Sequence, residues 1–207
     1  MSKIVFDNVS LSFKLHDKEI TVFDKFNLEI DSDELTMIVG KSGCGKTTLL
    51  RLLAKLITPD SGQIIIPDDL HIGMMFQEPR LMPWLNVEKN IALGLKNPVH
   101  KDIENIISLV GLAGFEHALP HQLSGGMQQR VSLARTLIRN TNFLLMNEPF
   151  SALDNVTRTA MQKELIRIRK QKHLGCIFVT HDINEATLLG DRIITLKNNT
   201  NKEESLI

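Results

Sequence analysis

The chain has 207 residues, 43% of them hydrophobic and 23% charged, with 24 basic against 24 acidic side chains. At roughly 100–200 residues per domain this is one domain, and the apolar share excludes wholesale disorder. Balanced charge argues against a general nucleic-acid-binding surface, and no run approaches the about 18 apolar residues of a membrane-spanning helix. Two distant cysteines, Cys44 and Cys176, exclude a disulfide scaffold and suit a cytosolic compartment.

Lys3, Asp7, Lys14, Asp17, Lys18 and Glu19 interrupt the start of the chain, which therefore lacks the apolar core of a secretory signal. Residues 4–9 and 20–30 read as strands, and 35–39 is a short apolar run ending in Gly40. Leu49, Leu50, Leu52, Leu53, Leu56 and Ile57 have helical spacing, stopped by Pro59-Asp60-Ser61-Gly62. Strands follow at 63–66 and 72–76. From about 87 to 139 helical spacing dominates, in Ile103, Ile106, Ile107 and Val110 and again over 127–138. Phe143-Leu144-Leu145-Met146 suits a strand buried on both faces of a mostly parallel sheet. A helix over 156–172 and strands at 176–179 and 193–196 complete an α/β alternation. The pattern predicts a mostly parallel core, an N-terminal antiparallel β portion and an inserted helical lobe over about 78–140.

Gly40-Lys41-Ser42-Gly43-Cys44-Gly45-Lys46-Thr47 fits the phosphate-loop pattern, after a predicted strand and before a predicted helix. Glycines allow the tight turn that points successive N–H groups into one concavity. The helix start adds unpaired donors and positive dipole for phosphate oxygens. Lys46 is placed to reach the β- and γ-phosphates, Thr47 to offer its hydroxyl to Mg²⁺, and Thr48 to extend the cradle. Cys44 reads as a small filler, since no general base neighbours it.

Leu123-Ser124-Gly125-Gly126-Met127-Gln128-Gln129-Arg130 resembles the signature motif of ABC-transporter ATPases. It stands at a loop-to-helix junction, with Ser124 a good N-cap and Gly125-Gly126 exposing backbone donors. The resemblance runs from residue 1 to about 197 and implies a phosphate-loop NTPase fold. It implies that two copies pair head-to-tail, each ATP lying between the phosphate loop of one and Ser124, Gly125, Gly126 and Gln128 of the other. It also implies roles for isolated residues. Gln77 matches a glutamine that touches Mg²⁺ and the attacking water, Glu148 the catalytic glutamate, and His181 the histidine that contacts the γ-phosphate. Ser151-Ala152-Leu153-Asp154 matches a loop crossing the dimer interface, and Phe13 an aromatic that stacks on adenine.

One position departs from the family. Asn147 stands where an aspartate holds Mg²⁺; it keeps an acceptor oxygen and loses the charge, so metal-dependent turnover is expected to fall while ATP binding survives. A nucleotide-binding module with impaired hydrolysis is therefore one alternative. A soluble, non-transport ABC ATPase is another, weakened by the single phosphate loop and balanced charge.

The resemblance implies integral membrane permease subunits and an extracytoplasmic solute-binding protein as partners, with this chain peripheral on the cytoplasmic face. The candidate permease contact is 78–87, where Leu81, Met82 and Trp84 stand beside stiffening prolines. This stretch, with 90–95, resembles the nitrate/sulfonate/taurine importer class, which implies a small anionic or organosulfur or nitrogen solute. The longer C-terminal segment of many importer subunits is not matched.

Overall fold

The structure is a computed structural model and describes residues 2–15, 18–197 and 204–206. Two sheets share the core. β1 (Lys3–Leu15), β2 (Lys18–Asp31) and β4 (Ser61–Ile65) form an antiparallel sheet in the order β2-β1-β4. β3 (Leu35–Gly40), β5 (Ile72–Met75), β6 (Phe143–Asn147), β7 (Gly175–Val179), β8 (Arg192–Leu196) and β9 (Glu204–Leu206) form the second, in the order β5-β6-β7-β3-β8-β9. All its pairings are parallel except β8 with β9. The expected mostly parallel core and antiparallel N-terminal portion are both present.

The parallel strands are buried on both faces, and side-chain alternation divides them between two clusters. Met37, Val39, Leu144, Met146, Cys176 and Phe178 belong to one. Ile38, Leu145, Ile177, Val179 and Ile194 belong to the other, with α1 (Lys46–Leu53) and the antiparallel sheet. α1 ends earlier than the leucine spacing predicts. Lys55 takes a left-handed φ of 55°, which turns the chain away and leaves Leu56 58% exposed.

Between β5 and β6 the described chain contains α2 (Val87–Ala92), α3 (His100–Leu109), a 3₁₀ turn over Pro120–Gln122 and α4 (Gly125–Leu137), with no strand. α2, α3 and α5 (Asn155–Lys172) all pack against α4. The short α6 (Ile183–Leu189), which periodicity did not indicate, follows β7. Among the described residues no helix is long and apolar enough to cross a membrane.

Candidate functional site

β5, β6, β7 and β3 are neighbours in that order. The segments leaving their carboxyl ends therefore lie side by side along one edge, where α/β sheets commonly bind ligands. Residues distant in sequence meet there: Gln77 after β5, Asn147 and Glu148 at the end of β6, His181 after β7, and the phosphate loop after β3.

The loop after β3 closes on itself. The Cys44 N–H donates to the Lys41 carbonyl at 3.3 Å, and the Lys46 ammonium donates to the Gly40 and Lys41 carbonyls at 2.7 and 3.0 Å. Gly45 precedes α1 with φ 101°, and a Cβ there would meet Val22 Cγ1 at 2.8 Å. Backbone shape and space both demand glycine. No side chain caps α1, so its first N–H groups face outward as anion donors. Cys44 is buried against the α1 leucines, as its filler reading expects.

A cavity of about 320 Å³ opens above this loop. Ser42, Gly43, Gly45, Lys46, Thr47 and Thr48 line it, joined by Glu148 and His181 from the neighbouring strand ends. Glu148 Oε2 lies 3.1 Å from His181 Nδ1. Glu148 itself has φ 47°, a left-handed conformation that costs a non-glycine residue about 1–2 kcal/mol. Three bonds hold it there. Its N–H donates to the Val179 carbonyl at 2.9 Å, and its carbonyl accepts from the Ser151 N–H at 3.2 Å and the Ser151 hydroxyl at 3.0 Å. Strain held by surrounding bonds is a common mark of a working residue.

Asn147 Oδ1 accepts from the Thr47 hydroxyl at 3.3 Å, so the departing position does face the phosphate loop. Gln77 is exposed and its amide donates to the Ser151 hydroxyl at 3.1 Å. No cluster of three or more His, Cys, Asp or Glu residues placed to hold a metal exists among the described residues. The hydroxyl of Thr47 and the amide oxygens of Asn147 and Gln77 are hard but neutral donors. Thr47 and Asn147, 3.3 Å apart, fit a Mg²⁺ that arrives on a triphosphate and keeps waters, rather than one caged by protein alone, while Gln77 lies outside the cavity lining.

Phe13 does not line the cavity. It sits 40% exposed on β1, directly opposite Ile20 of β2. A register shift between Leu11 and Ser12 leaves Val22 as the extra residue of β2, and Val22 reaches the cavity.

Residues 124–126 also lie outside the cavity lining. Ser124 caps α4, accepting from the Met127 N–H at 3.3 Å. A Cβ on Gly126 would meet Thr157 Cγ2 at 2.5 Å, so this end of α4 packs closely on α5. Gln128 turns back into its own loop, donating to the Pro120 and Leu123 carbonyls at 3.0 and 3.3 Å. Asp154 caps α5 by accepting from the Val156 and Thr157 N–H groups, and the Thr157 hydroxyl, followed by these backbone donors, holds its carboxyl below the usual range.

The loop after Gln77 is held by side chains that the sequence reading passed over. Buried Gln129 of α4 donates to the Gln77 carbonyl at 2.8 Å. Arg135 of α4 donates to the Pro79 and Arg80 carbonyls at 2.6 and 2.9 Å. Asn90 of α2, fully buried, donates to the Met82 and Leu85 carbonyls at 3.1 and 2.7 Å and accepts from the Met82 N–H at 2.8 Å. A signal for Asn90 existed: with Val87 and Ile91 it falls on one apolar stripe, where a polar side chain needs internal partners. The result is a braced loop whose Trp84 is 72% exposed while Leu81 packs inward.

A phosphate-binding loop, an adjacent acid–histidine pair and a second glycine-led helix start define a nucleotide-hydrolysing cassette. Residues 23–151 match the ABC transporter family. An uncharacterized ABC transporter ATP-binding protein of Methanocaldococcus jannaschii is 41% identical over 94% of this chain and 77% of its own length. The aliphatic sulfonates import ATP-binding protein SsuB of Bacillus cereus is 41% identical over 97% of this chain and 84% of its own. Among solved structures, a dimeric ATP-binding cassette in a post-hydrolysis state with ADP and Pi has a TM-score of 0.83 at 31% identity, covering 99% of both chains. The chain belongs to the ABC transporter family and is an ATPase of that class.

Proposed function

We propose that this chain is the ATP-hydrolysing subunit of a membrane importer, working as a head-to-tail homodimer. The observation that carries the reading is the division of the site. The phosphate loop, Glu148 and His181 line one cavity, whereas the start of α4, with Ser124 and Gly125 exposed and Gly126 buried behind them, stands outside it. A second copy supplies that helix start to the far side of the triphosphate.

Lys46 leaves its loop carbonyls to meet the phosphates, and the α1 N–H groups hold their oxygens. Glu148 orients a water and accepts its proton during in-line attack, while His181 steadies Glu148 and the γ-phosphate. Thr47, Asn147 and Gln77 would hold Mg²⁺, which when bound neutralises charge on the β- and γ-phosphates. The partner's backbone donors absorb charge developing on the transferred group.

Closure of the two copies is the stroke, and the exposed Trp84 face of the braced 78–87 loop receives it for a permease subunit bound at the cytoplasmic face. Sulfonate-import relatives favour an organosulfur or similarly small anionic solute, delivered by an extracytoplasmic binding protein. Glu148→Gln tests the core of this reading. At saturating ATP that variant should run as a dimer with ATP retained and hydrolysis stopped. A monomer under those conditions, or normal turnover, would refute it.

A further inference from the structure

The His181 side chain is 68% exposed, and the one hydrogen-bond partner of its ring among the described residues is Glu148. Its placement must therefore come from the turn that carries it. That turn is closed by Glu185, on the first turn of α6. Glu185 Oε2 accepts from the Thr180 hydroxyl at 2.6 Å, and Oε1 accepts from the Gln162 amide of α5 at 2.8 Å. Thr180 and Gln162 are only 3% and 7% exposed, so these bonds are sheltered from water. The Thr180 hydroxyl accepts in turn from the Asp182 N–H at 3.1 Å, and the Thr180 N–H donates to the Ile38 carbonyl of β3 at 3.1 Å. The Thr180 hydroxyl thus ties both residues flanking His181 to Glu185, beside the Asp182 carboxylate's own capping bonds from the Asn184 and Glu185 N–H groups.

The connections form a ring. Glu148 bonds Ser151, Asp154 caps α5, α5 presents Gln162, and Gln162 and Thr180 meet on Glu185. His181 closes the ring back onto Glu148. A carboxylate suits the junction because it accepts from two donors at once.

We propose that Glu185 is a positioning residue for hydrolysis, setting His181 against Glu148 and tying that pair to α5. The proposal rests on the role given to His181 above. Removing the double acceptor frees the turn and lets the ring drift, and a displacement near 1 Å costs about a hundredfold in rate.

Glu185→Leu should lower kcat about a hundredfold while the Kd for a fluorescent ATP analogue stays within about twofold. Glu185→Gln should keep most activity, because Gln162 can rotate its amide to present oxygen where it now presents nitrogen. His181→Ala should lose activity comparably, and adding Glu185→Leu to it should cost nothing more, since residues acting through one another are not additive. An undiminished extra loss in the double variant means Glu185 acts elsewhere and overturns the proposal. Unchanged turnover in His181→Ala sinks the site reading itself, whereas a loss there with none in Glu185→Leu sinks only this inference. If Glu185→Leu fails to fold, Thr180→Val removes the hydroxyl alone and should give the same fall in kcat; wild-type kcat overturns the proposal. The His181 ring resonance, assigned by its disappearance in His181→Ala, reads the displacement without turnover. It should move in Thr180→Val and keep its wild-type position in Glu185→Gln, and an unmoved peak in Thr180→Val overturns the proposal.

Discussion

Replacing Asn90 with leucine changes little volume and removes every bond its side chain makes to the 82–86 segment. The Met82 N–H loses its acceptor and the Leu85 carbonyl loses its donor. The other two acceptors keep a partner, since the Leu85 N–H donates to the Met82 carbonyl and the Asn90 N–H to the Asn86 carbonyl. Two groups are therefore orphaned beside a fully buried side chain, at about 1–3 kcal/mol each, so the loss is about 2–4 kcal/mol after partial relief by water. In a domain of this size 1 kcal/mol moves Tm by about 2–4 °C, which puts the expected fall at about 4–16 °C. Trp84 is the single tryptophan and lies inside the affected loop, so its emission reports that segment alone. Asn90→Leu should raise acrylamide quenching of Trp84 and give its transition a lower midpoint than the helical signal in circular dichroism. A Tm within about 2 °C of wild type, with unchanged quenching, would refute the assignment of Asn90 as the loop's brace.

Lys46→Ala should abolish nucleotide binding by equilibrium dialysis or reduce it beyond measurement, because no other ammonium lines the cavity among the described residues. Asn147→Asp should lower the Mg²⁺ concentration giving half-maximal ATPase activity by about tenfold, since a unit charge near 4 Å contributes about 1–4 kcal/mol at a partly wet site; unchanged metal dependence defeats the idea. Burial pushes the Cys176 thiol up to about 12, so at pH 8 it stays protonated. It should react with a maleimide only after denaturation, as mass spectrometry of the labelled chain would record.

The phosphate loop was legible because its information is local: glycines, a lysine and a hydroxyl in eight consecutive residues between a strand and a helix. The buried parallel strands were legible for a similar reason, since continuous apolar runs such as Phe143-Leu144-Leu145-Met146 need cover on both faces. What the sequence withheld is mostly nonlocal. That β7 lies between β6 and β3, bringing His181 to Glu148, depends on crossovers that no window of residues contains. The left-handed Glu148 has no signal in residue type, because its strain is set by Val179 and Ser151. Gln128 stands in a glycine-led motif that reads as ligand-facing, yet two nearby carbonyls draw its amide inward. Leucine spacing overruns the end of α1 because leucines continue at helical spacing past Lys55, whose backbone has already turned.

α4 carries Ser124 at its start and Arg135 in its last turn, and Arg135 grips the backbone of the outer loop. Its 13 residues make a rod about 20 Å long. Over that length a tilt of about five degrees about the serine end displaces the Arg135 end, and the loop carbonyls bonded to it, by nearly 2 Å. On the proposed reading, in which the serine end meets the partner copy's nucleotide and the 78–87 loop meets a permease, a displacement at either end of α4 would shift the other, so load on the loop would bear on the nucleotide as nucleotide bears on the loop.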